Sequence, residues 1–506
     1  MKKHTFIFSI FSGLFLFLYS GTCLVRASEI YLGASTADIS PKLPVALMGQ
    51  FHMRIAEKAD TPLYAGVLVI ESRIGNASLD TAVFVSCDLV YISAQLRDEL
   101  RAEVLRRIPG FSTNKIIVSA THTHTAPVLE DNPEESSFLY PIPEEGVTKV
   151  KDYRAIFVNN VADAIVDAWN NRSPGSMTWG LNRAAVGYNR RAVYKDGTTV
   201  MYGKTDMPEF QNLEGYEDHD INSLFFWDNK DELIAMSIDV ACPAQENEHL
   251  TTVNADYWHP VRKALKEKFG SQLNVLGWIG AAGDQSPHSM YRKAGEARMQ
   301  KLSNQTRMDD IANRIVRATE ETYEIVKNDP HKEVAFSHRA ETIQLPMRII
   351  TAEEYEESKK VQDDCAAQIA ADPTKAPLLH AKMTWFRDVL KRYEQQQKNP
   401  DQLYETEIHV LRLGDAAICT NQFELFTDYG IRIQARSKAV QTFVIQLTGP
   451  GTYLPSAKAV AGGGYSAVCQ SNVVGAEGGQ ILVDRTVEII NSFWPEEKAL
   501  KIQKKL

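Results

Sequence analysis

Cysteine is scarce in this sequence, with six in 506 residues and no Cys-x-x-Cys pair. One of the six, Cys23, lies in an N-terminal leader described below, so the remaining chain has an odd number. In so long a chain this pattern argues against a disulfide framework. Most of these cysteines are therefore expected to be small buried hydrophobic residues, but Cys242 has a second interpretation.

An excess of basic charge is also lacking. Lys and Arg number 55 against 64 Asp and Glu, a formal net charge of −9. Such a surface is unsuited to neutralising nucleic-acid phosphates, so no nucleic-acid partner is expected. Beyond the leader no apolar run reaches the roughly 20 residues that a transmembrane helix needs, so no transmembrane segment is expected. Internal repeats and Pro/Gly/Ser-rich linkers are absent, which favours one large domain.

The N-terminus has the pattern of an export signal. Lys2 and Lys3 precede an apolar run over residues 6–18, and Val25-Arg26-Ala27 resembles a small-residue cleavage site. This predicts a signal peptide over residues 1–27 and a mature protein that is periplasmic or secreted. A lipoprotein anchored at Cys23 is the alternative, which the absence of an aliphatic residue from residues 20–22 disfavours.

Short apolar runs alternate with longer helical patterns after the leader. The runs cover residues 81–86, 115–120, 233–240, 273–279, 408–413 and 443–447. Their alternation with helices predicts an α/β fold over residues 28–506, with mixed sheets and surrounding helices. Residues 352–400 read instead as a charged helical-hairpin insertion broken at Asp372-Pro373. Its charges suit solvated helix faces, with a lid over a cleft as the alternative.

The clearest chemical motif is a Thr-His-Thr-His segment that follows an apolar strand and contains His122 and His124. In extended chain, residues two apart point to the same side, so both imidazoles can face one ligand. Neutral imidazole binds zinc well, and a neighbouring histidine can act as a proton donor. A loop with two exposed polar residues is the ordinary alternative.

Three weaker motifs follow later strands. Ser286 lies in a turn of small residues, where it or its amides could face a reacting carbonyl. Glu424 follows a strand at the start of a helix, where a carboxylate commonly serves the helix dipole alone. Tyr453 and Tyr465 flank a run of three glycines and could be packing residues.

Taken together, these motifs resemble those of the neutral/alkaline non-lysosomal ceramidases. The resemblance extends over most of the mature chain. It includes the segments 33–41 and 85–89, the THTH-x-x-P motif, the GD-x-SP turn, Phe423-Glu424, and the tyrosine pair. It covers the catalytic domain alone, since this family usually adds a C-terminal immunoglobulin-like domain.

The resemblance implies a zinc amidase of sphingolipid metabolism that cleaves the N-acyl bond of ceramide. On the matching positions, His122, Glu424 and Tyr453 would bind Zn²⁺. His124 and Tyr465 would stabilise the oxyanion, and Ser286 would lie against the reaction centre. Zinc polarises a carbonyl and brings the pKa of bound water toward roughly 7.

One position departs from the family pattern. The family places a further zinc histidine before a proline, and this sequence has Cys242 there. Cys242 could bind zinc as a thiolate, which would weaken the metal as a Lewis acid. Alternatively His249 or His259 completes the metal shell, or Cys242 is inert beside an incomplete site.

We therefore expect an exported zinc hydrolase acting on a ceramide-like amide. A first alternative keeps the fold and metal but cleaves an ester or glycosidic bond of a carbohydrate. Polar residues in the stretches 187–191 and 217–220 would suit such a glycan substrate. A second alternative is a catalytically silent extracytoplasmic binding protein, suggested by the missing histidine.

Overall fold

The structure is a computed structural model that describes residues 27–132 and 138–494. The predicted signal peptide, apart from Ala27, and the candidate lipidation residue Cys23 lie outside the described residues. Within them, no helix has both the length and the apolar character required to cross a membrane.

The strands are listed in chain order: β1 (Ala27–Asp38), β2 (Val45–Leu47), β3 (Arg54–Ala56), β4 (Tyr64–Ile74), β5 (Ala77–Cys87), β6 (Ile116–Ala120), β7 (Ser173–Pro174), β8 (Ser176–Arg183), β9 (Tyr188–Asn189), β10 (Arg191–Tyr194), β11 (Thr199–Met201), β12 (Phe210–Leu213), β13 (Asp220–Trp227), β14 (Leu233–Val240), β15 (Asn274–Ile279), β16 (Gln285–Ser286), β17 (Glu333–Pro346), β18 (Leu403–Leu413), β19 (Ala416–Thr420), β20 (Glu424–Leu425), β21 (Gln441–Ile445) and β22 (Tyr453–Leu454).

The α-helices are α1 (Ala94–Arg107), α2 (Val150–Asn170), α3 (Trp258–Phe269), α4 (Lys293–Ser303), α5 (Arg307–Val326), α6 (Ala352–Ala371), α7 (Ala376–Lys398), α8 (Thr427–Arg436), α9 (Ala457–Gly462) and α10 (Ala476–Ser492). Local sequence sets several of their ends. Thr306 and Thr351 each open a helix with a reciprocal capping box, which satisfies backbone N–H groups at the helix start.

Two sheets form the centre of the molecule. The larger runs in the order β21-β19-β18-β17-β1-β4-β5-β6, with β7 paired to β1, and the smaller runs β15-β14-β13-β8. Both are mixed, because β5/β6, β19/β21 and β14/β15 are parallel while their other pairs are antiparallel. Every predicted apolar run overlaps a strand of these sheets, and the predicted α/β class with mixed sheets is confirmed.

The sheets pack face to face with helices outside them. Leu68 and Phe84 of the larger sheet share one core with Phe226 and Trp278 of the smaller. The Phe84 and Trp278 rings lie 5.1 Å apart. Alternate strand residues point the other way, where α1 and α2, or α8 and α10, cover the larger sheet and α3 and α5 cover the smaller.

This arrangement collects several loops near one another. The segments bearing His122, Cys242, Ser286 and Glu424 follow β6, β14, β15 and β19, each of which has a parallel neighbour. Loops after the carboxyl ends of parallel strands are where open α/β sheets place their sites. The helical hairpin α6/α7 occupies the region predicted as an insertion, with Asp372 at its turn.

Candidate active site

His122 is the best-anchored residue of the predicted site. It is buried, and its backbone has a φ of 67°, in the left-handed region that β-carbon-bearing residues rarely adopt. Its Nδ1 lies 2.7 Å from the Val90 carbonyl oxygen. A carbonyl oxygen only accepts, so Nδ1 carries the proton and Nε2 presents its lone pair. This is the usual way in which a metal-binding imidazole is oriented.

Two groups face that lone pair. The Glu424 carboxylate oxygen Oε2 lies 3.4 Å from His122 Nε2, and His124 Nε2 lies 3.1 Å from it. Burial, reinforced by the positive charges of Arg54 and Arg190, holds the pKa of His124 well below its usual value. His124 is therefore a neutral imidazole near pH 7.

Two tyrosines complete the inner wall. Tyr453 pairs with Glu424 in the short parallel β20/β22 ladder, and its ring lies 5.6 Å from that of Tyr465. Burial and the nearby Glu424 charge raise the pKa of both phenols well above the usual value. Both therefore keep their protons at neutral pH, and a protonated phenol can donate to an anion.

Arg190 brings a permanent positive charge to this wall. Its side chain is buried, and Nη2 donates to the Tyr453 hydroxyl and to the Gly283 carbonyl oxygen, each at 3.0 Å. Sequence analysis singled out Arg190 only as part of the stretch 187–191, whose polar residues would suit a glycan substrate. Its position beside Tyr453 depends on pairing β9 with β16, far along the chain.

Arg54 and Glu248 support the far side of His124. The Arg54 guanidinium donates to the carbonyl oxygens of Met48 and His124, each at 2.6 Å, and to that of Glu248 at 2.7 Å. The Glu248 carboxylate lies 3.4 Å from His124 Nδ1. Sequence analysis missed both residues, because neither belongs to a motif and both reach the site through tertiary contacts.

A cleft of about 210 Å³, open to solvent, lies beside these groups. His122, His124, Glu424, Tyr453 and Tyr465 all contribute to its surface. Further aromatic side chains lining the cleft are Phe51, Tyr91, Phe138 and Trp385. Trp385 belongs to α7, so the helical hairpin contributes directly to the wall.

Four other candidate residues are not among the described residues lining the cleft. Ser286 is fully buried, and its hydroxyl oxygen accepts from the Tyr202 hydroxyl at 2.9 Å. His249 is exposed at the surface, and His259 lines a separate depression. The role of Ser286 beside the reaction centre stays a prediction.

Cys242 is the fourth of these residues. A tight turn, in which its N–H donates to the Val240 carbonyl oxygen at 2.8 Å, sets the backbone after β14. Its sulfur lies 3.5 Å from the Val186 carbonyl oxygen and 3.7 Å from that of Pro243. Burial, together with the charges of Asp256 and Glu246, raises the pKa of this thiol well above its usual value. The structure thus directs the thiol to backbone carbonyls rather than to the cleft.

The side chains near His122 can be compared with the number, type and spacing of ligands that a zinc ion requires. Across residues 27–132 and 138–494, no group of three or more His, Cys, Asp or Glu side chains is arranged to hold a metal. His122 Nε2 and the Glu424 carboxylate oxygen lie 3.4 Å apart, so one cation between them could contact both. Tetrahedral zinc with bonds near 2.0 Å places its ligands about 3.3 Å apart. The separation of His122 and Glu424 fits this spacing, and Tyr453 pairs with Glu424 in the β20/β22 ladder, whereas the Cys242 sulfur faces backbone carbonyls.

Comparisons with known proteins agree with this architecture. The crystal structure of neutral ceramidase from Pseudomonas aeruginosa has a TM-score of 0.63 and 15% identity, over 93% of this chain and 76% of that one. The fold is that of neutral ceramidase. A ceramidase complexed with C2 also has a TM-score of 0.63, with 14% identity, over 91% of this chain and 75% of its own.

The similarity to neutral ceramidase is one of structure. No protein-family model matches this chain, and no curated protein does. At 14 to 15% identity the match shows the neutral ceramidase fold and confirms the resemblance stated from the motifs. Activity, substrate and metal need separate arguments.

Proposed function

We propose that this protein is an exported, zinc-dependent hydrolase of N-acyl amides, with ceramide-like lipids as its substrate class. The observation that carries the proposal is the 3.4 Å approach of His122 Nε2 to the Glu424 carboxylate at the base of the cleft. The neutral ceramidase fold supports the choice of an amide. Under this proposal His122, Glu424 and Tyr453 hold the metal.

When bound, zinc would supply a polarised carbonyl and an acidified water. The chain's own residues have distinct tasks. The hydrogen bond from His122 Nδ1 to Val90 fixes the ring, and the hydrogen bond from Arg190 fixes the Tyr453 oxygen. Tyr465 keeps its proton and donates it in a hydrogen bond to the substrate oxygen as negative charge develops there.

His124 completes this assignment. As a neutral imidazole it can accept a proton from water or donate one to the departing amine. Arg54 holds the His124 backbone in place through its carbonyl oxygen. Cys242 is left outside the ligand set because its sulfur faces the Val186 and Pro243 carbonyls.

The test compares metal content and turnover in matched histidine variants. His122→Ala is expected to lose bound zinc, whereas His124→Ala keeps zinc and loses turnover of N-acyl sphingosine. His259→Ala is the control, since His259 lies in a separate depression and should change neither property. Zinc is measured by mass spectrometry of the purified mature protein, and turnover by fatty-acid release.

The outcomes separate the competing functions. Full zinc occupancy in His122→Ala would contradict the ligand assignment. Hydrolysis of acetylated or oligomeric glycans without release of fatty acid from N-acyl sphingosine would favour a carbohydrate substrate. A wild-type protein with neither bound zinc nor zinc-dependent turnover would instead be an extracytoplasmic binding protein.

A further inference from the structure

The helix α7 is fastened to one wall of the cleft near its start. The Met53 N–H donates to the Pro377 carbonyl oxygen at 2.8 Å. The Leu139 N–H donates to the Thr384 hydroxyl oxygen at 3.1 Å, in a buried contact. This end of α7 is therefore bonded to the two segments that bring Phe51 and Phe138 to the cleft.

The other end of α7 is fastened to the opposite wall. The Arg392 guanidinium donates to the carbonyl oxygens of Asn472 at 3.0 Å and Cys469 at 2.8 Å, both in buried contacts. The intervening Gln470 and Ser471 line the cleft. The helix thus bridges the two walls and forms a fixed roof, because both ends carry buried hydrogen bonds.

Trp385 is the residue of α7 that lines the cleft under this roof. It follows Thr384 directly, and its ring lies 5.1 Å from that of Phe51 and 5.7 Å from that of Tyr465. Phe51 in turn lies 5.0 Å from Phe138. The Tyr465 ring also lies next to the Tyr453 ring, so only Tyr465 separates Trp385 from Tyr453, the proposed metal ligand.

The chemistry of the lining indicates which part of a substrate lies there. Around Trp385 the cleft is apolar, with Met48, Phe51 and Phe138. Its polar lining groups include Glu130 and Gln470. A hydrocarbon chain gains free energy from the apolar surface, while the polar groups suit an amine or hydroxyl group.

We propose that Trp385 limits the length of the acyl chain, so that this protein hydrolyses short-chain N-acyl amides in preference to long-chain ones. The inference rests on the proposed amidase function. Trp385 is a specificity-determining residue in this account, because its ring lines the cleft beside Phe51 while taking no part in bond cleavage.

The experiment measures kcat/KM for N-acyl sphingosines from acetyl to palmitoyl, in zinc-loaded wild type and three variants. Trp385→Ala removes the ring, and Trp385→Leu is a milder replacement should the first fold poorly. Phe386→Ala is the matched control. Phe386 is an aromatic residue of the same helix, 5.3 Å from the Trp385 ring, and is not among the described residues lining the cleft.

In the wild type, kcat/KM should rise with each methylene over short chains and then fall, to below the butanoyl value for palmitoyl, once the chain is too long for the space beside Trp385. A buried methylene contributes roughly a fourfold gain. Space for two more methylenes would therefore raise the palmitoyl-to-butanoyl ratio about sixteenfold in Trp385→Ala. Phe386→Ala should leave the ratio at the wild-type value. Wild-type preference for palmitoyl over butanoyl would overturn the inference.

A binding measurement separates this inference from the proposed function. Calorimetric titration of the metal-free protein with fatty acids from acetate to palmitate needs no catalysis. Affinity that stops rising at short chains in the wild type, and at longer chains in Trp385→Ala, supports the length limit even if no amide is hydrolysed. An unchanged chain-length profile in both replacements would overturn it, whatever the enzyme activity.

Discussion

Replacing Glu214 by Leu is expected to lower the free energy of unfolding by about 3–5 kcal/mol, the usual cost of leaving a buried charge without its partner. Glu214 and Arg191 form a two-point ion pair, with Nε to Oε2 at 2.6 Å and Nη2 to Oε1 at 3.1 Å. The exposed fractions of the two side chains are 0% for Arg191 and 5% for Glu214. With so little water nearby, solvent does not replace the lost carboxylate.

The same guanidinium holds the segment that carries Tyr465. Arg191 Nη2 also donates to the Gly463 carbonyl oxygen at 2.6 Å, and Nη1 to the Ser466 hydroxyl oxygen at 3.0 Å. These bonds partly compensate the charge when Glu214 is absent, which places the expected loss toward the lower part of the range. Tyr465 should also be held less firmly, so turnover falls together with stability.

Urea unfolding followed by tryptophan fluorescence measures the effect, as a lower midpoint at unchanged slope. The double variant Arg191→Met/Glu214→Leu should recover much of the loss, because an apolar pair of similar volume removes the unpaired charge. Asp484→Asn is the control. It breaks an exposed ion pair with Arg436, in which the side chains are 45% and 50% exposed, and should cost less than about 1 kcal/mol. A loss below about 1 kcal/mol in Glu214→Leu would refute the reasoning.

Two further predictions concern Cys242 and Glu407. Alkylation of Cys242 should be slow and equal in zinc-loaded and chelated folded protein, since burial raises the pKa of its thiol and little thiolate forms. Faster labelling at Cys242 after chelation would return it to the ligand set. At Glu407, burial opposes ionisation, but hydrogen bonds from His409 and Arg101 outweigh it and hold the pKa well below its usual value. The hydrogen bonds to ionised Glu407 therefore stabilise the fold at pH values above the unfolded-state pKa of a glutamate, about 4.3. This contribution is lost progressively as the pH falls below that value and Glu407 takes up a proton. Urea midpoints measured from neutral to acidic pH should fall less steeply in Glu407→Gln than in wild type, and equal slopes would contradict this account.

Sequence by itself determined the features that depend on neighbouring residues. The short continuous apolar runs predicted the strands, because strands such as β6 and β15 are buried on both faces along their whole length. The His-x-His spacing brought His122 and His124 together, with their rings 4.7 Å apart. The break at Asp372-Pro373 predicted the turn of the helical hairpin, since Pro373 cannot continue a helix.

Tertiary structure decided which of the candidate residues share the cleft. Glu424 and Tyr453 approach His122 only because the parallel β20/β22 ladder folds against the loop after β6. The thiol of Cys242, which the family resemblance made a candidate ligand, faces backbone carbonyls because of a tight turn after β14. A local sequence pattern predicts which way a side chain points relative to its own strand, but it does not predict how segments distant in sequence pack together. The proposed metal donors, the Arg190 charge and the wall that contains Trp385 therefore come together only when the sheets and α7 are assembled.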